Sequence, residues 1–571
     1  MTVMAVAAAL GALAAVLGLT AVLGRPGRRT GAPGSELIAA SRGVTPWWNA
    51  SAISGEYLSA AAYLGTAGLV LAYGADMLWL PVGATAGYVL LLAFVTAPLR
   101  RSGAYTISDF AEWRLGSRCV RRIVTGCVCF IGWFYLLPQF QGAGVTLRVL
   151  TGAPGWAGWV LVVVAALAVV VSGGMRSITA VQAVQFWVKL AAVAVPAVAL
   201  LALWRLDGGD PASGDVPHFS RDTRVLVGDR LAVSVPADTV VAARGPVDGT
   251  RHDGGPLRLP AGPHTIGPGT NVVFPSGAPV PHARQLPVQD GATWAMPIGR
   301  SEGHGLYSGY SAMLGVLLGT MGLPHILMRF YTNTSGSTAR RTAALVPGLL
   351  ALFYVFPVLY GTLGRIYTPE LLLTGDLDAT ILLLPRRMVP GAAGALLTGF
   401  VAAGAFAAFI STSCGIVVAI AGTLSQCARR RTGITAFRIG VVFALAAPLP
   451  LLPRVGPQGA ATLVTMALCV SACSLCPLLV LGIWWRGLTA SGAAAGLLLG
   501  GGLSVAAGVA RLFCGPWTGW PAALLAHPAM VLAPLSFTTM AAVSLLTRHR
   551  TPRWADRALA RLHLPEDVQA R

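Results

Sequence analysis

Apolar runs of about twenty residues recur along this chain, separated by short polar stretches rich in arginine, glycine and proline. A helix needs about 20 apolar residues to cross the hydrocarbon core of a bilayer. Windows of that length predict thirteen membrane spans, near 3–24, 47–73, 78–98, 120–150, 157–173, 178–204, 306–328, 342–363, 391–424, 436–453, 460–484, 488–510 and 528–547. The first resembles a signal peptide in length. It has no basic residues before it, however, and GRPGRR follows, so it predicts a retained helix with its N-terminus outside.

One segment breaks the pattern. Residues 206–305 are polar, rich in proline and glycine, and balanced in charge. TRVLVGDRLAVSVP and TNVVFPSG alternate apolar and polar positions between turn signals. They predict a β-rich insertion, placed outside the membrane by the span count. The stretch after Thr547 is basic and weakly amphipathic, and predicts a short cytoplasmic surface helix.

Composition agrees with the spans. The chain is 55% hydrophobic and 11% charged, too few charges to cover a soluble protein of 571 residues. A net charge of +20 raises the question of nucleic acid. The arginines answer it by their positions. With the N-terminus outside, the cytoplasmic gaps and tail hold 25 of them and the short external gaps six. That is the positive-inside pattern, and it sets the C-terminus in the cytoplasm of a plasma-membrane protein. Of the nine cysteines, eight lie in or beside apolar runs and form no disulfide framework or metal-ligand spacing. No phosphate-binding GxxxxGK[ST] loop occurs, which argues against ATP-driven transport by this chain.

Three stretches are poor membrane helices. Asn49–Gly68 carries Glu56, several hydroxyls and glycines at 55 and 65. Gly319–Tyr331 contains Gly319, Gly322 and Pro324, and proline removes a helix hydrogen bond. The two begin successive five-span sets. Interrupted helices at matching positions of two halves point to the midplane site of an inverted-repeat transporter. In the third, Ser411, Thr412 and Ser413 are adjacent hydroxyls in an apolar helix. One such hydroxyl normally bonds the carbonyl a turn back. Two neighbours can instead face a small hard cation, with carbonyls of the broken second span completing its shell.

Several motifs are similar to those of the sodium:solute symporter family, within it the cation/acetate and monocarboxylate symporters. They are GEYLSAAAYLG, LRRSGAYTISDFAEWRL, YLLPQFQGAG, GGMRSITAVQ, GLPHILMRF and the hydroxyl pair, spread from Trp47 to Trp485 without the insertion. The resemblance implies the leucine-transporter-type five-plus-five inverted repeat with extra helices. The chain then divides into an N-terminal extra helix and loop (1–46), a first repeat (47–205), the insertion (206–305), a second repeat (306–485), two extra helices (486–547) and a basic tail (548–571).

By motif matching, the family's sodium site falls on the carbonyls of Gly55 and Leu58 and the hydroxyls of Ser411 and Thr412. Several acetate-type members have alanine at the first hydroxyl position, and that branch tends to carry aspartate where this chain has Glu56. A solute carboxylate would meet N–H groups and half-helix dipoles. The candidates are Ser59, Ala60, Ala61, Gly319, Thr320 and Met321, with Tyr63 and Gln139 near the cavity. His325 is read as structural before proton-carrying, and Arg329 as an interface or gate ion pair. Lys189, the only lysine, is expected to pair with an acid or to snorkel, not to serve as a ligand.

The expected function is sodium-driven symport of a small monocarboxylate such as acetate, propionate or pyruvate. The partners expected are that solute, sodium and the lipid bilayer, with self-association left open, no nucleic acid and no cofactor beyond the coupling ion. No bond is made or broken, so an enzyme is not expected. Proton coupling through Glu56 or His325 is the rival. A transporter-like solute sensor is the alternative of another class, and it would need a separate signalling partner.

Overall fold

The computed structural model describes residues 3–23, 44–208, 217–283, 286, 290–298, 304–427, 433–455, 459–515 and 517–564. The arginines expected in the first cytoplasmic loop (25, 28, 29 and 42) and at 429–431 lie outside the described residues. The chain is helical, with one β unit between its two halves.

Among the described residues, eleven helices are long and apolar enough to cross a membrane, where the sequence predicts thirteen. Two local features account for the difference. The second and third predicted spans join as one apolar run over Ala61–Phe94. Within it a 3-10 turn at Gly74–Leu78 redirects the chain, and Gly74 stands at φ +66°, in the region that favours glycine. The fifth predicted span, Gly155–Val171, is apolar but short. It continues into Ser177–Leu206 as one helical run of 52 residues, where the sequence predicts a break near Arg176. The lesson is that glycine-rich polar stretches such as SGGMRS can stay helical when neighbouring helices support them.

Gly391–Cys427 is the central helix. Every residue from Val401 to Thr423 on it is buried. Packed around it are Val3–Leu23, Arg118–Thr151 and Gly155–Leu206. Packed on Arg118–Thr151, LRRSGAYTISDFAEWRL forms a helix at Ile107–Leu115 whose start is fixed by reciprocal hydrogen bonds between Thr106 and Asp109. The tail does form its predicted helix, Ala555–His563. Its apolar face (Ala555, Ala558, Leu562) is buried, and Arg101 donates to the carbonyls of Leu562 and His563. The helix therefore docks on the body.

The insertion is a seven-stranded antiparallel sheet: β1 Thr223–Val227, β2 Leu231–Val235, β3 Thr239–Val247, β4 Thr250–Leu259, β5 Gly262–Ile266, β6 Thr270–Phe274 and β7 His282–Ala283. The order is β1-β6-β3-β5-β2-β7, with β4 paired to β3. Asp248 and Gly249 both take positive φ in the β3–β4 turn, the geometry that Asp-Gly favours in a two-residue hairpin. The alternating valines of β1, β2, β3 and β6 face inward with Phe219 and Phe274. Leu71, Ala72 and Leu371–Leu373 of the helical body complete that core. The sheet is thus seated on the body. The following turn adds Trp294, whose indole N–H donates to the carbonyl of Val70 at 2.9 Å.

Candidate functional site

The site begins where the Pro46–Tyr57 helix stops. Pro46 starts it, since a first-turn proline loses no hydrogen bond. The helix ends without a proline. Leu58 leaves helical geometry at ψ 80°, and the chain resumes as a wide π turn at Ala61–Gly65. Carbonyls freed by such a break need other partners inside a membrane. Each of them has one. Thr412 Oγ1 donates to Glu56 O at 2.7 Å, and Ser411 Oγ to Gly55 O at 2.9 Å. The ammonium of Lys189 donates to Gly55 O, to Leu58 O at 3.0 Å and to Ser411 Oγ at 2.5 Å. Gly55 is glycine because the carbonyl of Gln182 lies where a Cβ would be.

Of the four residues matched to the sodium site, Gly55, Leu58 and Ser411 converge on one point, where the Lys189 nitrogen lies. Thr412 does not join them. Its hydroxyl turns to the neighbouring carbonyl, as a hydroxyl facing an unpaired acceptor should. Lys189 is fully buried. Among the described residues it neither snorkels nor forms an ion pair, contrary to the expectation from the sequence. The signal was present: an ionisable residue inside a membrane helix is by default a functional candidate.

A second polar knot lies beside the first. Glu56 Oε2 accepts from Arg329 Nε at 2.7 Å, with both side chains 1% exposed. Arg329 also donates to Thr179 Oγ1 at 2.7 Å and to Gln182 Oε1. Gln182 Nε2 in turn donates to the carbonyl of Ser411 at 2.7 Å. Asn49 donates to the carbonyl of Arg329 at 3.0 Å. The network therefore ties the first interrupted helix to the second. Gln182 and Thr179 were not foreseen; both sit on the face of Ser177–Leu206 that carries Lys189, about two and three turns on.

The second interruption is built differently. Gly305–Met321 ends at Gly322, and Pro324 opens the next helix, Pro324–Phe330. Leu323 is extended, at ψ 115°, as the residue before proline must be. The carbonyl of Gly319 accepts from Gly322 N–H and from Ser471 Oγ at 2.8 Å. His325 is buried with its ring edge-on to Tyr135, and its Nε2 has no hydrogen-bond partner among the described residues.

Beside the first break is a small cavity of about 50 Å³. Ser59 and Ala61 line it, together with Tyr57, Tyr135 and Tyr354, and among the described residues no charged side chain does. The other residues expected around a solute are elsewhere. Ala60 N–H is taken by Gln139 Oε1 at 2.9 Å, which holds Gln139 as a brace across the break. Tyr63 points away, donating to the carbonyl of Val401 at 3.0 Å. Gly319, Thr320 and Met321 are buried outside the lining. Thr320 reaches the cavity only through Tyr57, its hydroxyl 3.2 Å from the phenol oxygen.

Comparison with known proteins gives these features a setting. The chain is 26% identical to an uncharacterized symporter, YwcA, of Bacillus subtilis, over 92% of this chain and 91% of that one. It is 29% identical to the uncharacterized symporter H16_A2524 of Cupriavidus necator, covering 82% and 81%. Its fold is similar to that of a Na+-coupled sialic acid symporter in a substrate-bound outward-open state, with a TM-score of 0.61 at 13% identity over 95% of this chain and 98% of that one. It is also similar to Mhp1, a nucleobase-cation-symport-1 family transporter, in a closed conformation with bromovinylhydantoin bound (TM-score 0.51, 12% identity, 93% and 99% covered). These neighbours share the leucine-transporter-type fold, and they are transporters, not enzymes. The family model for sodium:solute symporters matches residues 37–205 and 301–500, leaving out the β insertion, and the chain belongs to that family.

Proposed function

We propose that this secondary transporter takes up a small monocarboxylate such as acetate, propionate or pyruvate, with sodium as the coupling ion. Sodium is the ion its family uses. The observation that carries the choice of solute is the cavity beside the first break. At about 50 Å³ it is far smaller than the roughly 300–1,000 Å³ of pockets for drug-sized ligands. The polar side chains in its lining are the hydroxyl residues Tyr57, Ser59, Thr66, Tyr135, Tyr354 and Thr465, a neutral set that suits one carboxylate with a short apolar tail. Ser59 and Ala61 are the proposed contacts. Gln139 acts behind them, and Tyr63, Gly319, Thr320 and Met321 act as supports.

For sodium, the proposed oxygens are those of Gly55, Leu58 and Ser411, with Thr412 available if its hydroxyl turns back from Glu56 O. A cation there lies next to the break that opens the solute cavity. Its binding and release therefore bias the same hinge that admits the solute, which is what coupling requires. The arginine asymmetry orients the chain with its N-terminus and β insertion outside and its tail in the cytoplasm. Glu56 is less suited to carry a proton, because its carboxylate is held by Arg329.

Uptake into proteoliposomes tests the reading. Labelled acetate, propionate and pyruvate are supplied with and without a sodium gradient, at fixed pH and membrane potential. Expected is uptake that needs sodium and falls as the acid's tail lengthens beyond three carbons. Uptake indifferent to sodium but abolished by collapsing a proton gradient would replace the ion. Uptake of a sugar or nucleobase with no acid transported would replace the solute.

A further inference from the structure

Lysines at membrane depth normally extend toward an interface or meet an acid. Lys189 does neither. Among the described residues no carboxylate lies within ion-pair distance of it, and Glu56, the acid whose charge reaches it, is held by Arg329. Its surroundings are otherwise neutral. The Val3–Leu23 helix brings no titratable side chain, and the buried centre of Gly391–Cys427 brings Ser411 and Cys414. Tyr57 and Tyr63 on the broken helix point elsewhere, to Thr320 and Val401.

What Lys189 meets is a set of oxygens. An ammonium has three N–H donors and no acceptor. Three oxygens face it: the carbonyls of Gly55 and Leu58, and Ser411 Oγ. Ser411 gives its own proton to the carbonyl of Gly55, so its lone pairs are free for the lysine. The match is that of a cation in a shell of oxygens, with the cation attached to the chain.

We propose that Lys189 is a tethered competitor for the cation site: its ammonium and sodium are alternative occupants of one set of oxygens. Sodium binds there only after the side chain has moved out. The inference rests on those oxygens being the sodium site. Two unit charges cannot share the same carbonyls at membrane depth without strong repulsion, and each provides the one positive charge that the site can hold. The exchange needs little rearrangement. The oxygens belong mostly to main chain, whereas the lysine stem is four flexible carbons. It also solves a problem of the broken helix. Its freed carbonyls are costly when bare in a dry interior, and the lysine covers them whenever sodium is absent. A tethered competitor acts at high effective concentration, so it weakens sodium binding and ensures prompt release.

Sodium binding to the purified full-length chain tests this, read as radiolabelled sodium bound and as the rise in Tm with sodium, using choline as the replacement. Lys189→Met should lower the sodium concentration for half-saturation about tenfold or more, by removing the tethered competitor. Lys189→Arg, which keeps a charge that is never lost, should abolish sodium binding. Equal sodium affinity in wild type and Lys189→Met overturns the proposal, as does a folded Lys189→Met protein that binds no sodium. If wild-type uptake ignores sodium while Lys189→Met binds it, the sodium-driven reading falls and the occupancy by lysine stands. Should Lys189→Met not fold in choline, its recovery in sodium supports the proposal. Failure of both Lys189→Met and Lys189→Gln to recover in sodium counts against it.

Discussion

The two interrupted helices began as equivalent features in the sequence, and they are built on opposite principles. At the first break the freed carbonyls of Gly55 and Leu58 meet a charge, the ammonium of Lys189. A second charge pair, Glu56 with Arg329, lies next to it. At the second break the freed carbonyl of Gly319 meets neutral donors, Ser471 Oγ and its own chain at Gly322. A break satisfied by neutral partners can be permanent, because nothing in it is exchangeable. A break satisfied by a cation can exchange that cation for another. This contrast supports the proposal that the first interruption is the ion site, with the second a fixed bend that positions Arg329 and His325.

The largest effect should come from the charge pair that separates the two. Glu56→Ala leaves Arg329 buried with only neutral acceptors, Thr179 and Gln182. Breaking a buried pair from one side costs roughly 3–5 kcal/mol. The variant should lose most of its monodisperse yield in detergent, and the double change Glu56→Leu with Arg329→Met should recover much of it. If Glu56→Ala is as stable as wild type and only uptake fails, the pair is part of the transport chemistry and not a strut between the helices.

A smaller effect is expected at Gly415, on the central helix. A Cβ there would fall on the carboxylate of Glu56. Gly415→Ala must push Glu56 aside, an overpacking that typically costs about 1–3 kcal/mol. Because Glu56 is tied to Arg329, Arg329 to Gln182, and Gln182 to the carbonyl of Ser411, the shift should reach the proposed cation oxygens. A thermal-shift series should show both a lower Tm and a changed response to sodium. A lower Tm with an unchanged sodium response would mean that the charge pair and the cation site are uncoupled.

These residues also mark how far the sequence could be read. The apolar runs, the β insertion and both interruptions were legible, because each depends on local composition: hydropathy, alternation, or a glycine or proline beside polar groups. Ser411 was legible as one of three adjacent hydroxyls in an apolar helix, whereas Gly55 and Leu58 were named only through a family resemblance, since a carbonyl carries no side-chain signature. The roles of Gln182 and Thr179 were not legible, because their partners lie more than a hundred residues away on Arg329. Lys189 was visible and undervalued. A lone lysine in an apolar helix reads as snorkelling or ion pairing, and a shell of oxygens contributed by two other helices cannot be counted from sequence. The helix boundary near Arg176 was misread for a similar reason. Whether a polar stretch such as 172–177 interrupts a helix depends on what packs beside it.

The smallest effect is the sharpest test of the contrast. Ser471→Ala removes one neutral hydrogen bond from Gly319 O, which keeps its bond from Gly322 N–H. A neutral hydrogen bond contributes about 0.5–1.5 kcal/mol, and the acceptor is not left bare, so the cost should lie at the low end. Ser411→Ala also removes one hydroxyl, but that oxygen faces the cation. The two variants should then differ in kind. Ser471→Ala should lower Tm slightly, with the sodium and solute concentrations for half-maximal uptake unchanged. Ser411→Ala should shift the sodium dependence at a similar stability. If Ser471→Ala shifts sodium or solute dependence as much as Ser411→Ala does, the second break also exchanges a ligand during transport. The two interruptions would then be functional equivalents after all, despite the neutral chemistry that closes one of them here.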